Sequence, residues 1–134
     1  MPNFDNGVLD ITLEAGEDLS SDQYRFVILS SGKVYRPNAT TDRPIGILQN
    51  DPESGQAAHV RMMGISRVVL GETVAENEYV KHEYISASDA GKGLDADGQY
   101  DVAQAYCISG GGEDDLATVA LLPFPVFPSL TAVT

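Results

Sequence analysis

Apolar residues recur at every second position in this chain, in short stretches that end on turn-forming residues. Successive side chains of a β-strand point to opposite faces, so this alternation marks half-buried strands. Its confinement to short segments predicts an antiparallel all-β domain. Leu9, Ile11 and Leu13 alternate with Asp10 and Thr12. Tyr24, Phe26 and Ile28 alternate with Arg25, Val27 and Leu29, a stretch apolar enough on both faces to be a central strand. Ser30-Ser31-Gly32 supplies a turn, because Gly32 can take a positive φ without a Cβ clash, and Lys33-Val34-Tyr35 can pair back as a hairpin.

Pro44 opens a strand over 45–49, and 51–55 reads as a loop. The longest strand candidate is 56–70. Ala58, Val60 and Met62 share one face and His59, Arg61 and Met63 the other, but after Gly64 the polar residues Ser66 and Arg67 stand in succession and the alternation loses phase. A glycine at such a break predicts a bulge or bend that turns a barrel corner. Thr73 and Glu76 fit a helix capping box, and a helix over 74–86 is possible, yet its apolar face, Ala75, Tyr79, His82 and Ser86, has Tyr79 as its one large apolar group, so a strand over 79–85 is expected instead. Asp97-Gly98 is a hairpin signal, 99–109 a strand, 110–112 a flexible turn and 116–122 a last alternating strand. The fold class is therefore all-β: a small antiparallel barrel or sandwich of seven to nine short strands with at most one short helix. A chain of 134 residues has room for one domain. Its compact core should span about 9–122, flanked by an N-terminal arm, 1–8, and a C-terminal arm, 123–134.

Charge is unevenly placed along the chain. The formal net charge is −12, yet all eight basic residues lie between Arg25 and Lys92. Asp5, Asp10, Glu14, Glu17, Asp18 and Asp22 precede them, and Asp95, Asp97, Asp101, Glu113, Asp114 and Asp115 follow. Such segregation allows one strongly acidic surface and one mixed surface, or simply solvated acidic loops. The excess of carboxylates repels phosphates and anionic lipid, so neither nucleic acid nor membrane is an expected partner. The start of the chain has no basic, apolar leader pattern, and no apolar run approaches the ~20 residues of a membrane span. Synthesis in a cytosol is expected. Cys107, the one cysteine, lies in an apolar stretch and reads as a small buried side chain.

Catalytic patterns are thin. His59 and His82 lack the spacing and companions of a zinc site and read as strand-surface histidines. Residues 93–98 resemble a calcium loop only at Asp95, Asp97 and Gly98, and 110–115 lack the Lys and Ser/Thr of a phosphate loop. Glu83 is the one carboxylate placed to have a raised pKa, with a partly exposed strand position as its simpler account, and Asp101 is the other acid an acidic hydrolase could use. No catalytic residue, cofactor site or metal site is assigned, and the chain is not expected to be an enzyme.

The tail breaks the alternation. Pro123, Pro125 and Pro128 exclude an interior strand and favour an extended arm that carries Phe124 and Phe127. With Phe4 near the other end, these aromatics should either fold back on their own domain or dock on another chain.

Five phrases then stand out together: Gly16-Glu17-Asp18-Leu19-Ser20, Gln23-Tyr24-Arg25-Phe26-Val27, Arg43-Pro44-Ile45-Gly46-Ile47-Leu48-Gln49-Asn50-Asp51-Pro52, Gly55-Gln56-Ala57-Ala58-His59-Val60-Arg61-Met62 and Gly64-Ile65-Ser66-Arg67-Val68-Val69. With Thr118-Val119-Ala120-Leu121-Leu122-Pro123 they resemble the small capsid decoration proteins of tailed bacteriophages, also called cement or head-stabilising proteins. The resemblance covers about 9–123. It implies a compact β domain on the outer capsid surface, bridging neighbouring major capsid proteins and assembled with copies of itself as a homotrimer more readily than a homodimer. Residues 91–108 depart from that pattern. Candidate contact residues are Phe4, Val8, Leu9, Arg61, Met63, Arg67, Phe124, Val126, Phe127 and Leu130. The competing reading is a β module that binds carbohydrate or a host surface, of the head-fibre or receptor-binding type. The absence of Trp counts against it.

Overall fold

The computed structural model describes residues 7–98 and 101–126. It is all-β, with nine strands: β1 (Leu9–Ala15), β2 (Phe26–Ser30), β3 (Lys33–Tyr35), β4 (Gly46–Leu48), β5 (Ala57–Val69), β6 (Tyr79–His82), β7 (Gly93–Asp95), β8 (Ala103–Ser109) and β9 (Leu116–Val126). No α-helix occurs among the described residues. The strands β1-β3-β2-β4-β5 close on themselves through pairing of β1 with β5, making a five-stranded barrel. The second half of β5 then carries β9, β8, β6 and β7 as a second sheet.

Two apolar clusters follow from this arrangement. Ala15, Leu19, Val27, Val34, Leu48, Ala58 and Val60 fill the barrel. Phe26 and Ile47 face the other way and pack with Val68, Leu70, Val80, Cys107, Val119 and their neighbours under the second sheet. Adjacent residues of β2 and β4 thus point into different clusters, and both are buried, as the two-sided apolarity of the β2 segment predicts. Burying a side chain such as Phe26 or Ile47 contributes roughly 1.5–3 kcal/mol each.

The long strand differs from its sequence reading. Its inward positions, Ala58, Val60, Ser66 and Val68, keep one phase from end to end. Ser66 only looks like a phase break: it is a buried polar residue whose Oγ accepts from Gln49 Nε2 at 2.9 Å and donates to the Arg67 carbonyl. The predicted irregularity does occur here. The β1 register slips between Leu9–Met63 and Asp10–Arg61, and Gly64 has φ +102°. A Cβ on Gly64 would lie 2.4 Å from the Gly7 carbonyl oxygen, so this position requires glycine. Here β5 leaves the barrel and joins the second sheet.

Other boundaries also move. β6 ends at His82, and β7 was not foreseen. β7 pairs with β6 and not with β8, so Asp97-Gly98 is not a hairpin turn between neighbouring strands. The glycine turn 110–112 is not loose, because Gly111 exchanges both backbone hydrogen bonds with Val74 at 3.0 Å. β9 runs four residues past its expected end, through Pro123 and Pro125. The prolines are tolerated because pairing with β5 stops at Leu121, and β9 then faces β8 alone across an irregular stretch to Ala103–Val126.

Candidate functional site

Ion pairs undo the segregation of charge. Lys33, Arg36, Arg61, Lys81 and Lys92, all from the middle of the chain, hold Glu14, Glu17, Asp22, Asp10, Asp101 and Asp114 of the flanks. The most extensive is a clasp around Arg36. Its Nε and Nη2 donate to the two oxygens of buried Asp22 at 3.0 and 3.1 Å, Nη1 reaches Glu17 and Nη2 also reaches the Asp18 carbonyl. These bonds hold the guanidinium pKa above its usual value, the Asp22 hydrogen bond foremost.

Four strands contribute no carboxylate of their own. Neither β5, β6, β8 nor β9 contains an Asp or Glu, in a chain that has 20. Across the outer side of the second sheet, Ile65 pairs with Ala120, Ala120 with Tyr106 and Tyr106 with Tyr79. The two tyrosine rings meet edge to face with centroids 5.4 Å apart. Met63, Ile65, Ile108 and Leu116 are each nearly half exposed around this row. An apolar row built from strands that carry no acid, on an acidic molecule, is suited to meeting another protein.

Five of the ten candidate contact residues gather at its margin. Leu9 pairs with Met63, next to exposed Val8, and Arg61 binds Asp10 through Nε and Nη2 at 2.8 and 3.0 Å. Arg61 Nη1 also donates to the Ile65 carbonyl, and the Arg61 hydrogen bond lowers the Asp10 pKa. Arg67 stands further along the same face, opposite Thr118. Phe124 and Val126 belong to β9 and not to an arm, while Phe4, Phe127 and Leu130 lie outside the described residues. Ile65, Ala120 and the tyrosine row were missed; the run of strands without a single acid was the available signal.

Two groups read as surface residues are buried. His82 is 6% exposed, its Nε2 is 3.1 Å from the Ala39 carbonyl, and burial lowers its pKa. Glu83 is equally buried, and desolvation with nearby Asp89 raises its pKa. Its Oε1 has no hydrogen-bond partner among the described residues and lies where a Cβ on Gly71 would sit. His59 stays on the surface against Thr12. Cys107 is buried as expected, which raises its thiol pKa.

No protein-family model matches the chain, and no curated protein matches it. Among solved structures, the barrel and its attached sheet are shared with a domain from the head of a bacteriophage. That domain is the N base of head fibre gp8.5 of phage phi29, with TM-score 0.66 and 17% identity over 89% of this chain and 98% of the other. At that identity the likeness is one of fold.

Proposed function

We propose that this chain is a structural virion protein that sits on the outer surface of a phage head and bridges neighbouring major capsid proteins, with no catalytic role. The apolar row of Ile65, Ala120 and Tyr106 carries this reading, and the shared fold with a head-fibre base supports it. Capsid binding of this kind gains strength from many modest contacts repeated over copies, and the homotrimer implied by the resemblance to decoration proteins would supply such repetition. The acidic loops then face solvent.

The test is co-sedimentation with empty heads of the phage that carries this chain, together with the thermal stability of those heads. Bound wild-type protein should raise the head melting temperature. Ile65→Asp places a carboxylate on the face and should weaken binding at least tenfold, by about 1.4 kcal/mol or more. Glu113→Lys, on an acidic loop, should bind as wild type does. Binding that survives Ile65→Asp but fails with Glu113→Lys would reverse the orientation, and absence of binding to authentic heads would end the reading.

A further inference from the structure

A cleft of about 750 Å³ opens between the loop 40–43, the end of β6 with the residues after it, and the segment 101–104. A second concavity of about 400 Å³ lies beside Tyr35 and Asn38. Tyr84 is common to the walls of both.

The walls are held before any ligand arrives. His82 ties β6 to the Ala39 carbonyl, and the Asp42 carboxylate accepts from the backbone N–H groups of Asn38 and Ala39 at 2.7 and 3.1 Å. Across the cleft, Lys81 and Asp101 form an ion pair at 2.9 Å. Little ordering remains to be done on binding, which favours a site of modest contacts.

The lining chemistry selects the ligand. Asp42, Glu83 and Asp101 stand with Arg43 and Lys81, so there is no positive excess to attract a phosphate or sulfate, and the molecule as a whole repels anions. The charged and amide groups of the lining, Gln104 among them, suit hydroxyls that donate and accept at once. The same lining holds apolar side chains, Leu94, Val102 and Ile85, the last of these 76% exposed. A sugar that carries an acetamido methyl has an apolar group to set against them, which a plain hexose lacks.

We propose that this double cleft binds an oligosaccharide bearing N-acetylamino groups, with sugars on both sides of Tyr84. The proposal goes beyond attachment to a head and does not depend on it.

Amide NMR titration of the full chain with tetra-N-acetylchitotetraose, and separately with maltotetraose, tests it. The acetylated sugar should shift the amides of residues 40–43, 84–85 and 101–104 saturably, with a Kd on the order of 1 mM. Maltotetraose should bind about tenfold more weakly, and Tyr84→Ala should weaken the acetylated sugar by a similar factor. The spectrum remote from the cleft reports whether Tyr84→Ala stays folded; if it does not, Ile85→Asp at the exposed rim serves instead and should weaken binding several-fold. No saturable shift at about 10 mM sugar, equal binding of the two sugars, or binding unchanged by the folded variants would overturn the proposal.

Discussion

Asp95 on β7 offers a stability prediction with an unusual sign. Its backbone N–H donates to Glu72, its carboxyl meets that of Glu78, and Asp97 is close by, so four acids share one end of the β6–β7 hairpin. Desolvation first, then the Glu78 hydrogen bond and charge, push its pKa up to about 7 from an ordinary 3.8. Between those values the folded chain holds a proton that the unfolded chain releases, so the Asp95 contribution to stability falls as pH rises through that window and levels off above it. At about 1.36 kcal/mol per pH unit the ceiling is about 4 kcal/mol. The site is partly open to solvent, and screening reduces the expected effect to about 1–2 kcal/mol. Asp95→Asn keeps a donor for Glu78 and removes the charge. Urea unfolding should find the variant more stable than wild type by that amount at pH 8 and equal to it near pH 4. Taking the difference between the two proteins cancels Glu83, whose raised pKa acts in the same direction. It also cancels His82, whose lowered pKa removes stability as pH falls below about 6.5. A variant no more stable at pH 8, or a gain independent of pH, would refute the account of this cluster.

Two further perturbations probe the frame. Gly64→Ala should cost about 2–4 kcal/mol in chemical denaturation, because it combines a left-handed φ with a collision against the Gly7 carbonyl. Arg36→Met should cost about 2–3 kcal/mol by leaving buried Asp22 unpaired, and Arg36→Met combined with Asp22→Leu should recover part of the loss in the same assay.

The strands were legible wherever burial is one-sided or fully two-sided. Period two located β1, β2, the first half of β5 and β9, whose buried apolar positions feed the two clusters. The misreadings share a physical cause, which is polarity satisfied locally. Ser66 is inward because Gln49 reaches it, and His82 is inward because the Ala39 carbonyl meets it. Pro123 and Pro125 sit in a strand because one of its edges has no partner. β7, three residues long, is held largely by its neighbours and leaves almost no pattern of its own. For the candidate face, individual apolar residues were a weaker guide than the missing acids. Arg61, Met63 and Arg67 could be read from β5 alone, but Ala120 and Tyr106 join them only through register.

Strand β5 also governs how the molecule can come apart. Met63 takes the pairing of the first strand and Gly64 that of the last, so β1 and β9 are fastened to neighbouring residues of one element. Those contacts join residues some fifty positions apart in the chain, a closure that makes folding slow and leaves few partly assembled forms with buried surface worth keeping. Loss of the Met63–Gly64 junction would therefore release β1 from the barrel and β9 from the long strand together. The barrel and the second sheet should lose their order as one unit and not in turn.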